Sequence, residues 1–348
     1  MYRTYLWWLF ALAIGLFGGE ALCALPEGDN ATVRSEEIAE RMALVQEMQA
    51  YESRIGWKQT NNFRRYDGRS AGYLFCYYTD IFAQNTSWAV GADGGCNLDP
   101  RRYDVFLMRA DAVAGVGAPL SPSLVQASLA RFIMVIFHED FHEQVDGYPS
   151  LAINESAATL MGLLAAREFT KEKFGVFSFV YIALENDLQL HVHGSLLLRG
   201  TYAELGALYM RVRDGSVTED DGQREKQRIF ARLKEACADM QLATIASCRD
   251  STNNAELGFN YSYAAYYQSF FELATNCGWD VYAIGAQIVR LVKEIGRGTT
   301  GDQFIDRVNE LMRKSGRTSC GTLFLIWRIG TTVRKFRMNV IKFLNEWI

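Results

Sequence analysis

Apolar positions recur at helical spacing through most of this chain. Between Glu36 and Arg54 the apolar residues Ile38, Met42, Val45 and Met48 stand three or four apart, which lines one face of a helix. Residues 129–137, LARFIMVIF, are apolar nearly all round, as in a helix buried on every side. Asp146-Gly147-Tyr148-Pro149-Ser150 then breaks the helix and reverses the chain. A second helical stretch runs from Leu151 through Glu168, with Ala157, Leu160, Met161 and Leu164 as its apolar stripe. The two stretches are therefore expected to pack as an antiparallel pair, with residues just after the turn facing residues just before it. Two short aromatic or β-branched runs, Tyr73 to Tyr78 and Tyr103 to Met108, predict strands. The charged stretch Glu219 to Gln227 lies between two helical patterns and reads as a solvated turn. No internal repeat or low-complexity tract is found. The pattern predicts a mainly α protein with a small β component, an α+β fold.

The amino terminus has a different pattern. Arg3 precedes an uncharged, mostly apolar run from Tyr5 to Phe17, and small residues surround Cys23 and Ala24. A run of that length suits a secretory signal and is short for a membrane span. Residues 1–24 are therefore expected to be a signal peptide or an amino-terminal membrane anchor. Residues 25–348 would then be the exported domain, periplasmic or elsewhere in the cell envelope. The formal net charge of −4 gives no sign of a nucleic-acid partner. Cys76, Cys96, Cys237, Cys248, Cys277 and Cys320 would remain after cleavage, an even number that permits disulfides in an exported chain. Cys76 and Cys96 flank a Tyr/Gly-rich segment and could close one loop. Six buried free thiols are the alternative.

The chemistry is concentrated in His138-Glu139-Asp140-Phe141-His142. The chain has only four histidines. Two of them at i,i+4 lie on one face of a helix, where a single tetrahedral ion can take both imidazoles. Glu139 stands between them as a base for a water on that ion. Thirteen residues after His142 comes Glu155, which the helix pair returns to His142 as a third ligand. Plainer readings are a core histidine satisfied by a backbone carbonyl and, for Glu155, a solvated first-turn carboxylate favoured by the helix dipole. Glu139, Asp140, Glu143 and Asp146 weigh against the first, because buried carboxylates without a counter-charge are costly and a divalent cation would supply one. These residues point to a zinc hydrolase with His138, His142 and Glu155 as ligands and the fourth position left for water.

The block from Phe137 to Ala158, FHEDFHEQVDGYPSLAINESAA, resembles the zinc site of the bacterial putative aminopeptidases, a gluzincin family. Its motif is HExxH followed, after twelve residues, by the Glu of an Asn-Glu-Ser segment, and Glu143 to Asn154 give the same count here. Tyr202 to Leu205 through Ile229 to Leu233 resembles the helical pair after the site, and Asn253-Asn254-Ala255 followed by Tyr263 resembles a downstream Asn-Asn-Ala block. In all, the resemblance spans about Tyr73 to Cys277. It implies a zincin-like metallopeptidase binding one Zn²⁺ and acting on peptides as an aminopeptidase. It also implies Tyr263 as the residue that stabilises the oxyanion, with Tyr261, Tyr266 and Tyr267 competing for that role. Asp140 and Phe141, and the Pro149-Ser150-Leu151 turn, depart from the family pattern and bear on substrate choice more than on metal binding.

Two further features need a reading. His191-Val192-His193 alternates as a strand or loop would, and with no acidic or cysteine partner adjacent it reads as structural. Leu323 to Ile348 carries basic residues among Phe, Ile and Trp and reads as a terminal helix packed on the core, membrane-surface binding being the alternative. The competing class for the whole protein is a non-catalytic envelope protein that keeps a zincin fold for stability or partner binding. Within enzymes, the rival is an endopeptidase.

Overall fold

The computed structural model describes residues 33–315 except 71, 91–95, 114, 116, 146–149, 239, 241, 243, 245–247, 249–250 and 296–299. Segment 1–24, most of the turn before Ser150, Cys320 and the stretch Leu323 to Ile348 lie outside the described residues. The elements in chain order are α1 (Ser35–Arg54), β1 (Tyr73–Asp80), β2 (Ser87–Val90), β3 (Tyr103–Ala110), α2 (Pro122–Gln126), α3 (Leu129–His142), α4 (Leu151–Phe174), α5 (Phe179–Arg213), α6 (Glu219–Ala236), α7 (Asn254–Ala264), α8 (Tyr267–Asn276), α9 (Val281–Ile295) and α10 (Gly301–Ser315). This is a mostly helical α+β arrangement with one small antiparallel sheet, in the order β2-β1-β3. Both expected strands are present, each two residues longer than its aromatic run. The central strand β1 pairs Tyr77 with Phe106 on β3 and with Trp88 on β2. The disulfide Cys76–Cys96 ties β1 to the segment before β3. A second disulfide, Cys237–Cys248, joins the end of α6 to the segment before α7, and Cys277 is also disulfide-bonded.

The helices start where side chains can take the free amide groups of the first turn. Ser128 caps α3 by accepting from the Arg131 amide, and Ser150 caps α4 by accepting from Ile153. Gly175, at φ +83°, ends α4 in a conformation that side chains disfavour. α3 and α4 pack antiparallel: His142 meets Asn154, His138 lies against Gly162, and Phe137 packs edge-on against Phe169. One helix is read backwards as the other is read forwards. α4 is buried almost all round, with Ala157, Leu160, Met161 and Leu164 fully enclosed, because α3, α5, α7 and α8 surround it. α7 spans the two layers, packing on α4 and α5 on one side and on β1 and β3 on the other. A second apolar cluster between α5 and α6 is built on Leu205, Leu208, Tyr209, Ile229, Phe230 and Leu233.

Two expectations are corrected. Glu219 to Gln227 is the first half of α6 and not a turn. Thr218 caps it, and Glu219, Asp220 and Asp221 fill its first turn, where negative charge opposes the helix dipole favourably. Its apolar stripe starts only at Ile229, so the opening looks wholly polar. Nor is Lys226 solvated: buried, it donates to Asp104 at 2.5 Å and to the Ile81 carbonyl at 2.9 Å, pinning α6 to the sheet. Likewise His191 and His193 lie within the long helix α5, since three alternating residues are too few to define a period.

Candidate metal centre

His138 and His142 are one helical turn apart at the end of α3, and Glu155 is on the second turn of α4. The close approach of the two helices there depends on Gly162. A Cβ at that position would lie 3.1 Å from the backbone and Cβ of His138, so a side chain would push α4 away from the first histidine. The three functional atoms then face one another. His138 Nε2 and His142 Nε2 are 3.1 Å apart, and Glu155 Oε2 stands 3.3 Å from the first and 3.5 Å from the second. Tetrahedral coordination with zinc bonds of about 2.0–2.1 Å spaces neighbouring donors about 3.3 Å apart. Two imidazoles and a carboxylate with this spacing could hold a metal ion.

Charge at the cluster is consistent with that use. Burial favours a neutral His142, but Glu155, by charge and hydrogen bond, outweighs it with help from Glu139 and Asn154 and holds the imidazole up at about 9. Burial would raise the Glu155 carboxyl, yet the two histidines keep it well below the usual carboxylate range. His138 is pulled down, chiefly by burial. In the chain alone, a proton on His142 balances Glu155, in the place where a cation would balance it. Asn154 sets the direction of the ring: His142 Nδ1 lies 2.8 Å from Asn154 Oδ1, which can only accept, so Nδ1 donates and Nε2 is aimed at the cluster. This role was not read from the sequence, although its signal was there, because Asn154 immediately precedes Glu155.

Glu139 and Tyr263 stand at the same place. Both line a cavity of about 200 Å³ that also touches His138. The Tyr263 ring stacks on His138, with centroids 5.9 Å apart. Burial pushes its hydroxyl well above the usual phenol range, and the charges of Glu155 and Glu139 and a hydrogen bond to Glu155 push it the same way. The competing tyrosines are engaged elsewhere: Tyr261 stacks on Tyr202, and the Tyr267 hydroxyl donates to the Leu188 carbonyl. Tyr266 approaches Gly301 of α10. A second cavity of about 510 Å³, lined by Tyr77, Trp88, Tyr202 and Tyr261, reaches Glu155 and Tyr263 from another direction.

The acidic residues around the histidines do not all belong to this cluster. Asp140, fully buried, accepts from Thr60 Oγ1 at 2.6 Å and from Asn62 Nδ2 at 2.9 Å. Glu143 accepts from Asn62 Nδ2 and from the Gly115 amide. Their compensation comes from amides and a hydroxyl, because a residue two positions from each histidine points to the opposite side of the helix. Asp146 lies outside the described residues. His191, read as structural, is buried on α5 with its ring against Tyr267, and it lines the same cavity as His138 and Glu139. Nothing in the sequence around it signals this, since α5 brings it there from a distant part of the chain.

No curated protein matches the chain, and no solved structure does. A family model described as "Putative aminopeptidase" matches residues 97–297, a span from β3 through α9 that includes His138, Glu139, His142, Glu155 and Tyr263. With more than half of its length matched, and with this cluster inside the match, the chain belongs to the putative aminopeptidase family.

Proposed function

We propose that this protein is an exported zinc-dependent aminopeptidase of gluzincin type, with a zincin-like site on the pair α3 and α4. The observation that carries the reading is the 3.1–3.5 Å triangle of His138, His142 and Glu155 atoms, with Glu139 and Tyr263 at one cavity beside it. When bound, zinc supplies Lewis acidity, lowering the pKa of an attacking water to about 7 and polarising the scissile carbonyl. The Glu139 carboxylate takes the proton of that water and returns it to the leaving amine. Tyr263, kept protonated by burial and by the carboxylates beside it, donates a hydrogen bond to the oxygen that gains charge. Asn154 holds His142 in register throughout. Cavities on two sides of Tyr263 give a peptide room to lie across these groups.

For location, the apolar run Tyr5 to Phe17 supports export, with membrane association through that segment. Disulfides such as Cys76–Cys96 and Cys237–Cys248 suit the oxidising cell envelope. No described helix is long and apolar enough to cross a membrane.

The test is Glu139→Gln, which keeps size and hydrogen bonding but cannot take the proton. Cleavage of a panel of free-amine peptides is expected to fall by about 10²–10⁴-fold while zinc per chain stays at the wild-type value. Equal activity in both proteins would refute the role of Glu139. A zinc-loaded wild type that cleaves no peptide would favour the non-catalytic class.

A further inference from the structure

The cavity of about 200 Å³ beside His138, Glu139 and Tyr263 is larger than a metal and a water require. Its walls are mostly apolar, formed by Met108 of β3, Met134 and Val135 of α3, Leu198 of α5 and Phe259 of α7. An apolar cavity of about 150 Å³ is enough to bind benzene, so an aromatic ring fits this one.

Most polar groups in the wall already have partners. Arg131 donates to Asp111 Oδ2 at 2.7 Å and to the Thr244 carbonyl at 2.6 Å, so these two opposite charges offset each other. Asn260 Nδ2 donates to Ser251 Oγ at 2.8 Å, and Ser195 Oγ donates to the Val192 carbonyl at 2.8 Å. His191 differs. It is only 7 % exposed, it lines the cavity, and its Nε2 has no hydrogen-bond partner among the described residues. An unpaired buried polar atom costs about 1–3 kcal/mol, a penalty that a ligand supplying the partner removes.

We propose that this cavity receives a tyrosine side chain of the peptide substrate beside the scissile bond, with the phenol hydroxyl hydrogen-bonded to His191 Nε2; the assignment rests on the peptidase reading above. A phenylalanine would fill the walls and leave Nε2 unpaired. Charged side chains would enter with no free counter-charge, because Arg131 and Asp111 are committed to each other. Burial, with His138 adding to it, holds the His191 imidazole down at about 3, so it is neutral at working pH. A phenol hydroxyl both donates and accepts, and it satisfies either tautomer of a neutral imidazole.

The experiment has a binding arm and a cleavage arm. Calorimetry measures p-cresol and toluene binding to wild type and to His191→Phe. Cleavage is compared for peptides identical except for Tyr or Phe on each side of the scissile bond. Wild type is expected to bind p-cresol at least about tenfold more tightly than toluene, and His191→Phe to lose that preference, as expected where a buried polar group is left unpaired. The Tyr peptide is expected to exceed its Phe counterpart in kcat/KM by a similar factor in wild type only. A wild-type preference near one overturns the proposal without recourse to any variant, and so does a preference that survives His191→Phe. Phenol binding through His191 with no peptide cleaved would overturn the peptidase reading and leave the phenol site standing.

Discussion

Glu52 is an unusual residue to find at the back of a candidate active-site helix, and replacing it with glutamine is expected to stabilise the protein. Glu52 on α1 is fully buried, and burial above all, then the charge of Asp140 and a hydrogen bond to it, pushes its carboxyl up to about 10. Asp140 already accepts from Thr60 and Asn62, but its Oδ2 and both oxygens of Glu52 have no other donor. A proton held by Glu52 supplies that donor, and the pair is then one acid and one carboxylate. The sign follows from proton counting. The folded chain keeps this proton, whereas the unfolded chain releases it above its ordinary value of 4.5. The contribution of Glu52 to stability is therefore fully present below pH 4.5 and is lost progressively as pH rises toward the folded value. At about 1.36 kcal/mol per unit, the loss at pH 7 relative to pH 4.5 is about 3 kcal/mol, provided only that the folded pKa stays above 7. Glu52→Gln donates to Asp140 at every pH and escapes the loss. Urea unfolding of both proteins at pH 4 and pH 7 measures it: little difference is expected at pH 4, and a gain approaching 3 kcal/mol for the variant at pH 7. A gain at pH 7 no larger than at pH 4 would refute the shared proton.

Two further outcomes test the metal centre itself. Glu155→Ala removes the only carboxylate of the triangle, so zinc bound per chain after dialysis is expected to drop severely; an unchanged stoichiometric content would remove Glu155 from the ligand set. Gly162→Ala places a methyl group 3.1 Å from His138, and zinc affinity is expected to weaken by about 10–100-fold, the range for a change that misplaces a ligand through its surroundings. Wild-type affinity in that variant would show that the helices can separate there without disturbing the histidines.

Periodicity in the sequence was enough to foresee the helix at 35–54, the antiparallel helices on either side of the 146–150 turn, and two of the three strands, because burial of one face imposes a regular spacing on the chain. The approach of Glu155 to His138 and His142 was legible for the same reason: local geometry fixes the i,i+4 pair, and a short turn fixes what comes back beside it. Where the pattern is polar or too short, the sequence is silent. The acidic opening of α6 resembles a turn until the apolar face that follows is seen packed against α5, and Lys226 becomes a buried cation only because Asp104 arrives from a strand far away in the chain. Contacts between distant segments carry no local spacing at all. That Asp140 faces a protonated Glu52, that Gly162 lets two helices close on His138, and that His191 ends in the wall beside Glu139 were decided by tertiary packing. Each depends on which surfaces meet when the core excludes water, and no single segment encodes that choice.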